Sequence, residues 1–103
     1  MAVVVVATIR PVPDRRAEVI AVLEDVIARV HAEDEGCQLY ALHEGPDRLV
    51  LVEKWASSDA LAAHGRGGAI AELGKRLGGL VEPGLDVQAL QPHPAGTPDL
   101  GIL

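Results

Sequence analysis

One stretch of this chain combines an apolar framework with side chains that could do chemistry: LVLVEKWASSDALAAH, residues 49–64. It contains Glu53, the only tryptophan, Trp55, and His64. Imidazole titrates near neutral pH, so His64 could be a general base or an orienting hydrogen-bond donor. The structural alternative is a histidine that caps an interrupted helix, because glycines follow it. The spacing alone leaves both roles open.

Glu53 is the second candidate for catalysis. Period-two alternation places it on the same strand face as Trp55, among leucines. A buried carboxylate without a partner is costly, so its position requires an explanation. The structural explanation is an ion pair with Arg10 or Lys75, or an interface contact. The functional explanation is proton transfer to or from a bound molecule.

The two aromatic residues of this Phe-free chain are Trp55 and Tyr40. Trp55 offers a flat wall and an indole donor for an aromatic ligand, although a sole tryptophan is also a natural core residue. Tyr40 either contacts a ligand or fills space with its hydroxyl on a backbone group. The lone Cys37 is expected to be a small hydrophobe at a strand start, since no cation is near it in sequence to activate a thiolate.

Composition limits the classes of partner. The net charge is −6, with 9 Lys+Arg against 15 Asp+Glu, which disfavours nucleic acid. The apolar N-terminus stops at Arg10, too early for a membrane span or signal sequence, so no membrane partner is expected. A single cysteine fits a reducing cytoplasm. The remaining histidines (His31, His43 and His93) have no metal-ligand spacing and are predicted to lie at the surface.

The elements that position these groups are predicted from periodicity. Residues 2–10 form a strand of β-branched side chains. Residues 14–33 form an amphipathic helix with Asp14 as N-cap and Gly36 as its stop. Segments 37–44 and 48–55 form a hairpin around the turn at 45–47.

The second half of the chain is less regular. Glycines interrupt a helix into 57–65, capped by Ser57 or Ser58, and 69–77. The last strand, 80–91, contains Pro83 and Gly84, which suggests an edge or a bulge. Residues 1–91 are thus expected to form one domain, and 92–103 a Pro- and Gly-rich tail or dimer arm.

This order of elements predicts an α+β fold, a ferredoxin-like split βαβ sandwich with a four-stranded antiparallel sheet and both helices on one face. The other face then exposes Val and Leu, more than a monomer usually tolerates. A homodimer that buries sheet against sheet, a dimeric α+β barrel, is the expected assembly.

The sequence resembles the antibiotic biosynthesis monooxygenase family, which includes small bacterial quinol monooxygenases. The resemblance rests on EDEGCQLY at 33–40, on LVLVEKWASSDALAAH at 49–64, and on ATIRPVP before the first helix; it spans about residues 3–91. It implies the same ferredoxin-like dimer. It also implies oxygenation of a small aromatic, polyphenolic or quinol substrate with molecular oxygen and with no cofactor or metal, the substrate being the reductant.

The resemblance implies roles for five residues. His64 and Glu53 would be catalytic, and Trp55, Tyr40 and Arg10 would bind substrate. Two other functions stay open: a non-catalytic dimeric ligand-binding or stress-associated domain, and haem binding or degradation.

Two positions depart from relatives. Many carry a second histidine where this chain has Ala69, and the haem-degrading relatives carry an asparagine where it has Thr8, which argues against haem degradation.

Overall fold

Four antiparallel strands form the sheet of the protein, in a computed structural model that describes all 103 residues. The strands are β1 (Val3–Ile9), β2 (Cys37–Glu44), β3 (Leu49–Trp55) and β4 (Asp86–Leu90), in the order β2-β3-β1-β4. β3 pairs with both β2 and β1, and β4 lies at the edge beside β1. This is the predicted ferredoxin-like topology.

The helices are α1 (Arg16–Glu33), α2 (Ser58–Gly65), α3 (Gly68–Arg76) and a single turn, α4 (Pro98–Gly101), in the tail. The predicted break between α2 and α3 is confirmed, because Arg66 and Gly67 separate them. Ser57 is the N-cap of α2, since its side chain accepts a hydrogen bond from the amide of Ala60 at 3.1 Å. None of the helices combines the length and hydropathy that crossing a membrane requires.

The start of α1 differs from the prediction. Asp14 is not the N-cap: it adopts φ +68° and the helix begins at Arg16, with Arg15 in the cap position and no side-chain cap. The amide of Arg15 donates to the carbonyl of Val12, so a turn precedes the helix. Aspartate is one of the few residues that enter left-handed geometry at modest cost, which explains its use in this turn.

The core lies between α1 and one face of the sheet. Along β3 the odd-numbered residues are buried and the even-numbered ones are half-buried, so the predicted alternation is confirmed. The buried core is built from aliphatic residues together with Tyr40 and Trp55: Val5, Ala7, Ile9, Val19, Val22, Leu23, Val26, Val30, Leu49, Leu51, Ala69 and Leu77. On the opposite face of β3 the side chains are only half-buried.

The last strand is split as its Pro83 and Gly84 suggest. Val81 forms an isolated bridge with Pro11, Gly84 has φ +86°, and regular pairing resumes only at Asp86. The tail then returns toward β3, where the Lys54 ammonium donates to the terminal carbonyl of Leu103 at 2.6 Å.

Gly36 connects the end of α1 to the site through a close contact with α2. It has φ +81°, and a Cβ there would lie 2.6 Å from the Cβ of Ala60. Gly36→Ala should therefore destabilise the fold by about 1–3 kcal/mol. The control is Gly74→Ala in α3, where a Cβ meets nothing within 4 Å and where alanine should stabilise by about 0.5–1 kcal/mol. Urea denaturation of both variants tests this; equal effects would contradict it.

Candidate functional site

A cavity lies between the inner face of the sheet and helices α2 and α3. Its volume is about 290 Å³, and its walls are mainly apolar side chains from β1, β3, β4, α2 and α3. Its polar members are Tyr40, Glu53 and His64. Leu85 and Val87 line it while remaining 57% and 55% exposed, so the mouth is at the β4 edge. The cavity is thus an apolar pocket with three polar groups inside.

His64 is held by a carboxylate that comes from the end of α1. Its Nδ1 lies 2.5 Å from Oδ2 of Asp34, and the His64 and Asp34 side chains are only 5% and 13% exposed. No fully enclosed side-chain nitrogen or oxygen in the protein lacks a hydrogen-bond partner. Nε2 of His64 has no such partner, so this nitrogen is not fully enclosed. The His64 ring lines the cavity, and Nε2 is the ring nitrogen that Asp34 does not engage.

Glu53 is partnered by its neighbour on the same strand face. The indole Nε1 of Trp55 donates to Oε1 of Glu53 at 2.9 Å, and Glu53 is 4% exposed. Neither Arg10 nor Lys75 forms the ion pair expected from the sequence. Burial raises the pKa of the Glu53 carboxyl, and the Trp55 hydrogen bond and nearby His64 only partly offset this.

Because the pKa of Glu53 is raised, the free energy of unfolding should decrease as pH rises. The folded state holds the Glu53 proton more tightly than the unfolded state, so stability is lost as pH rises above the ordinary glutamate pKa of 4.5. Glu53→Gln removes this loss while keeping an acceptor for Trp55. The variant should gain stability over wild type at about pH 7 and gain less at about pH 4. Urea denaturation at both pH values, with exposed Glu24→Gln as control, measures it; a pH-independent difference would contradict it.

Three rings form one cluster at the wall of the cavity. The His64 ring lies 4.4 Å from the Trp55 ring, and Tyr40 makes edge contacts with His64 at 5.4 Å and Trp55 at 6.1 Å. Burial raises the pKa of the Tyr40 hydroxyl, so this group is neutral at physiological pH. Tyr40 lines the cavity, whereas Trp55 is fully buried and does not. Trp55 therefore supports His64 and Glu53 and offers no free face for stacking a ligand.

Arg10 lies apart from this group. It lines a shallow depression of about 10 Å³ beside residues 81–85, outside the cavity, and a space of that size holds about one water molecule. Thr8 lines the same depression. Arg10 is therefore the one predicted site residue that the fold does not bring to the others.

The remaining histidines and Cys37 are also placed. His31, His43 and His93 are exposed, as predicted. Cys37 is half-buried at the start of β2, and burial raises the pKa of its thiol, which disfavours a nucleophilic thiolate. Nowhere do three His, Cys, Asp or Glu side chains lie close enough together to hold a metal ion.

A network of ion pairs holds α3, one wall of the cavity, against α1. Arg29 on α1 donates to Glu72 at 2.9 Å and to the carbonyl of Gly68 at 3.2 Å. Arg76 on α3 reaches Asp25 on α1 at 2.9 Å. Arg29 and Glu72 are half-buried, whereas Arg76 and Asp25 are exposed, so the second pair contributes little alone. Together they fix the position of α3 over the pocket.

Asp34 is the site residue that the sequence did not single out. It is the middle residue of the acidic run 33–35, and nothing in the spacing distinguishes it from its neighbours. The only signal is its place between the end of α1 and Gly36, in the segment that resembles the family. Contact with His64, 30 residues away, requires the tertiary fold.

Comparisons with known proteins agree with this geometry. A sequence model of the family described as antibiotic biosynthesis monooxygenase matches residues 2–76. Rv0793 of Mycobacterium tuberculosis is 42% identical over 64 residues, which span 60% of this chain and 62% of the relative. The match thus covers less than two thirds of that relative's length.

Solved structures extend the match over most of the chain. The structure of Rv0793 superimposes with a TM-score of 0.84 at 28% identity, covering 94% of this chain and 100% of the other. A structure from Caulobacter crescentus CB15, named as a protein of the same family, superimposes with a TM-score of 0.81 at 29% identity. The match covers 86% of this chain and 87% of the other. A protein from Methanosarcina mazei Go1 shares the fold, with a TM-score of 0.80 at 21% identity over 88% and 92%. Because the family model covers well over half of the chain, this protein belongs to the antibiotic biosynthesis monooxygenase family.

Proposed function

We propose that the protein is a monooxygenase that oxidises a small phenolic, polyphenolic or quinol-type substrate with molecular oxygen, and that the substrate itself supplies the electrons. The observation that carries the proposal is the pairing of His64 with Asp34 at the wall of an apolar cavity. A base held in this way can remove a proton from a bound molecule while the cavity excludes bulk water.

His64 is the proposed catalytic base. Asp34 engages Nδ1, which leaves Nε2 as the proton acceptor, and the carboxylate stabilises the imidazolium formed when the proton arrives. Tyr40, neutral and lining the cavity, is suited to donate a hydrogen bond to the substrate oxygen as negative charge develops there. Glu53 can accept a hydrogen bond from a substrate hydroxyl in the same pocket.

The size and lining of the cavity favour a compact aromatic substrate. A volume of about 290 Å³ lies just below the range of about 300–1,000 Å³ for ligand pockets. The buried Glu53 and the net charge of −6 disfavour an anionic substrate. A neutral phenol or quinol that becomes an anion only after His64 removes its proton fits both observations.

The overall reaction needs no external reductant. In the simplest case a ring CH₂ group, the keto form of a phenol, and O₂ give a C=O group and water, so that one oxygen atom enters the substrate and the other leaves as water. His64 takes the first proton, and the resulting carbanion gives its electrons to oxygen. Apolar walls suit this step because they admit O₂ and protect the carbanion from reprotonation by water.

Oxygen consumption tests the proposal directly. A panel of naphthols, anthrones and quinols is added to the protein in an oxygen-electrode cell, and the products are identified by mass spectrometry with ¹⁸O₂. The expected result is substrate-dependent uptake with one labelled oxygen in the product. Binding of panel members without uptake would instead support a non-catalytic ligand-binding domain. A Soret band on titration with haem would support the haem alternative.

We also propose that the half-buried sheet face, opposite the core, is the interface of a homodimer. Its half-buried residues include Val6, Val52 and Ala41, which lie in one row across β1, β3 and β2. Burying such a row removes apolar area from water on both copies.

Sedimentation at micromolar concentration should give about twice the chain mass of 10.8 kDa. Val52→Glu should shift the protein to one chain, because it places a charge in the buried row. Ala21→Glu, on the exposed face of α1, is the control and should leave the mass unchanged. A wild-type protein that sediments as a single chain would rule out the dimer.

A further inference from the structure

The floor of the cavity is made by two rows of side chains that cross the sheet. The register places the first row across all four strands and the second row across β3, β1 and β4. The members that line the cavity are Tyr40, Glu53, Val5 and Ala89 in the first row, and Leu51, Ala7 and Val87 in the second. Only the first two residues of the first row, on β2 and β3, are polar. The floor therefore changes from polar to apolar in the direction that crosses the strands.

The side chains above the floor follow the same division. The His64 ring contacts the Tyr40 ring at 5.4 Å, so the imidazole lies over the polar end. The α3 side chains that line the cavity are all apolar: Ile70, Leu73 and Leu77. Tyr40, Glu53 and His64 are buried, whereas Val87 at the mouth is exposed. All polar side chains of the cavity are therefore at its closed end.

The apolar part of the floor is long enough to hold most of an aromatic molecule. Neighbouring strands lie about 4.8 Å apart, so this part extends about 10 Å from Glu53 on β3 to Ala89 on β4. In its middle, on β1, Val5 and Ala7 are buried and offer no side-chain hydrogen-bonding group. A hydroxyl or carbonyl group held over β1 would lose its hydrogen bonds to water and gain no partner, which is costly.

We propose that the substrate carries all of its oxygen substituents on one edge of an aromatic system, and that the rest of the molecule is apolar and points toward β4. A few polar groups in an apolar pocket fix the orientation of a ligand in this way. The inference rests on the proposed oxygenase function, because it takes the cavity as the substrate site. It selects fused-ring or alkyl-substituted phenols and catechols over quinols whose two oxygens lie at opposite ends.

Ala7 is the specificity-determining residue of this arrangement. It lies in the middle of the second row, between Leu51 on β3 and Val87 on β4, and its side chain is a single methyl group. Ala7→Leu extends into the apolar half of the cavity and shortens it without changing the polar end. Ala71 on α3 is exposed and does not line the cavity, so Ala71→Leu is the matched control.

Two isomers test the proposal on the wild-type protein. Naphthalene-2,3-diol carries both hydroxyls at one end of its long axis, whereas naphthalene-2,6-diol carries one at each end, and calorimetric titration under nitrogen measures both dissociation constants without turnover. We expect the 2,3 isomer to bind at least about tenfold more tightly, because the 2,6 isomer must bury one hydroxyl over Val5 and Ala7. Equal affinities, tighter binding of the 2,6 isomer, or no binding of either isomer at its solubility limit would overturn the proposal.

The variants show where the two ends of the ligand lie. Ala7→Leu should weaken binding of naphthalene-2,3-diol by at least about tenfold, since the second ring no longer fits. It should leave binding of catechol, the single-ring analogue, unchanged, because catechol occupies only the polar end. Ala71→Leu should leave both affinities unchanged, and circular dichroism melting checks that each variant is folded. A folded Ala7→Leu protein that binds both ligands as wild type does, or that loses both equally, would contradict the assigned orientation.

The substrate class and the oxygenase function fail separately. Tighter binding of the 2,3 isomer without oxygen uptake from any member of the panel overturns only the oxygenase function. Oxygen uptake together with equal binding of the two isomers overturns only the substrate class.

Discussion

Replacing His64 with alanine should lower kcat by about 10²–10⁴-fold, the usual contribution of a positioned general base. The expectation follows from the site: Nε2 is the available basic nitrogen at the cavity wall, and Asp34 holds the ring in place at 2.5 Å. Substrate-dependent oxygen uptake at saturating substrate is the measurement.

Two companion variants separate catalysis from folding. His64→Gln keeps a polar side chain beside Asp34 but cannot accept a proton at neutral pH, so it should be nearly as inactive as His64→Ala. His43→Ala removes an exposed histidine of β2 that does not line the cavity, and it should retain full activity. Unchanged kcat in His64→Gln would show that His64 is not the base.

Replacing Trp55 with alanine should destabilise the protein by about 3–5 kcal/mol, the range for deleting a fully buried tryptophan. Trp55 is 0% exposed, and its indole contacts both His64 and Tyr40. Since small domains are stable by only about 5–15 kcal/mol, the variant should lose a large share of its stability. Urea denaturation monitored by far-UV circular dichroism measures this loss.

A second substitution isolates the hydrogen bond from the packing. Trp55→Phe fills much of the space but leaves Glu53 without its donor, at a cost of about 1–3 kcal/mol. Without that hydrogen bond the pKa of Glu53 should rise further, so the penalty should grow with pH. In the Glu53→Gln background the pH dependence should disappear. A penalty for Trp55→Phe that is the same at low and neutral pH would contradict this account of Glu53.

The elements of the fold follow from local pattern. Alternation in Leu49–Trp55 placed Glu53 and Trp55 on one buried face, and the glycines after His64 broke the second helix where predicted. These features were predictable because strand period, helix period and turn chemistry act over a few residues. The prediction that Asp14 is the N-cap was wrong because local pattern also has limits. Aspartate suits both an N-cap and a left-handed turn, and only the packing of the preceding turn decides between them.

Local sequence pattern did not predict which residues the site residues contact. The structural explanation expected for Glu53 was an ion pair with Arg10 or Lys75, or an interface contact. Its partner within the chain is instead the indole two residues away, on the same strand face. Trp55 was expected to contact substrate, but α2 brings His64 between it and open space. Arg10 follows β1 and lines a separate small depression beside residues 81–85, outside the cavity.

The sequence alone, chiefly residues 49–64, determined that this protein has a ferredoxin-like fold. It also determined that the fold contains a buried carboxylate, a buried tryptophan and a histidine at a helix end. Only the tertiary structure decided that Asp34 holds His64. The sequence contains three adjacent acidic residues, and their charge alone does not show which of them contacts His64. The turn at Gly36, which requires φ +81° and close approach to Ala60, directs Asp34 and neither of its neighbours toward the imidazole.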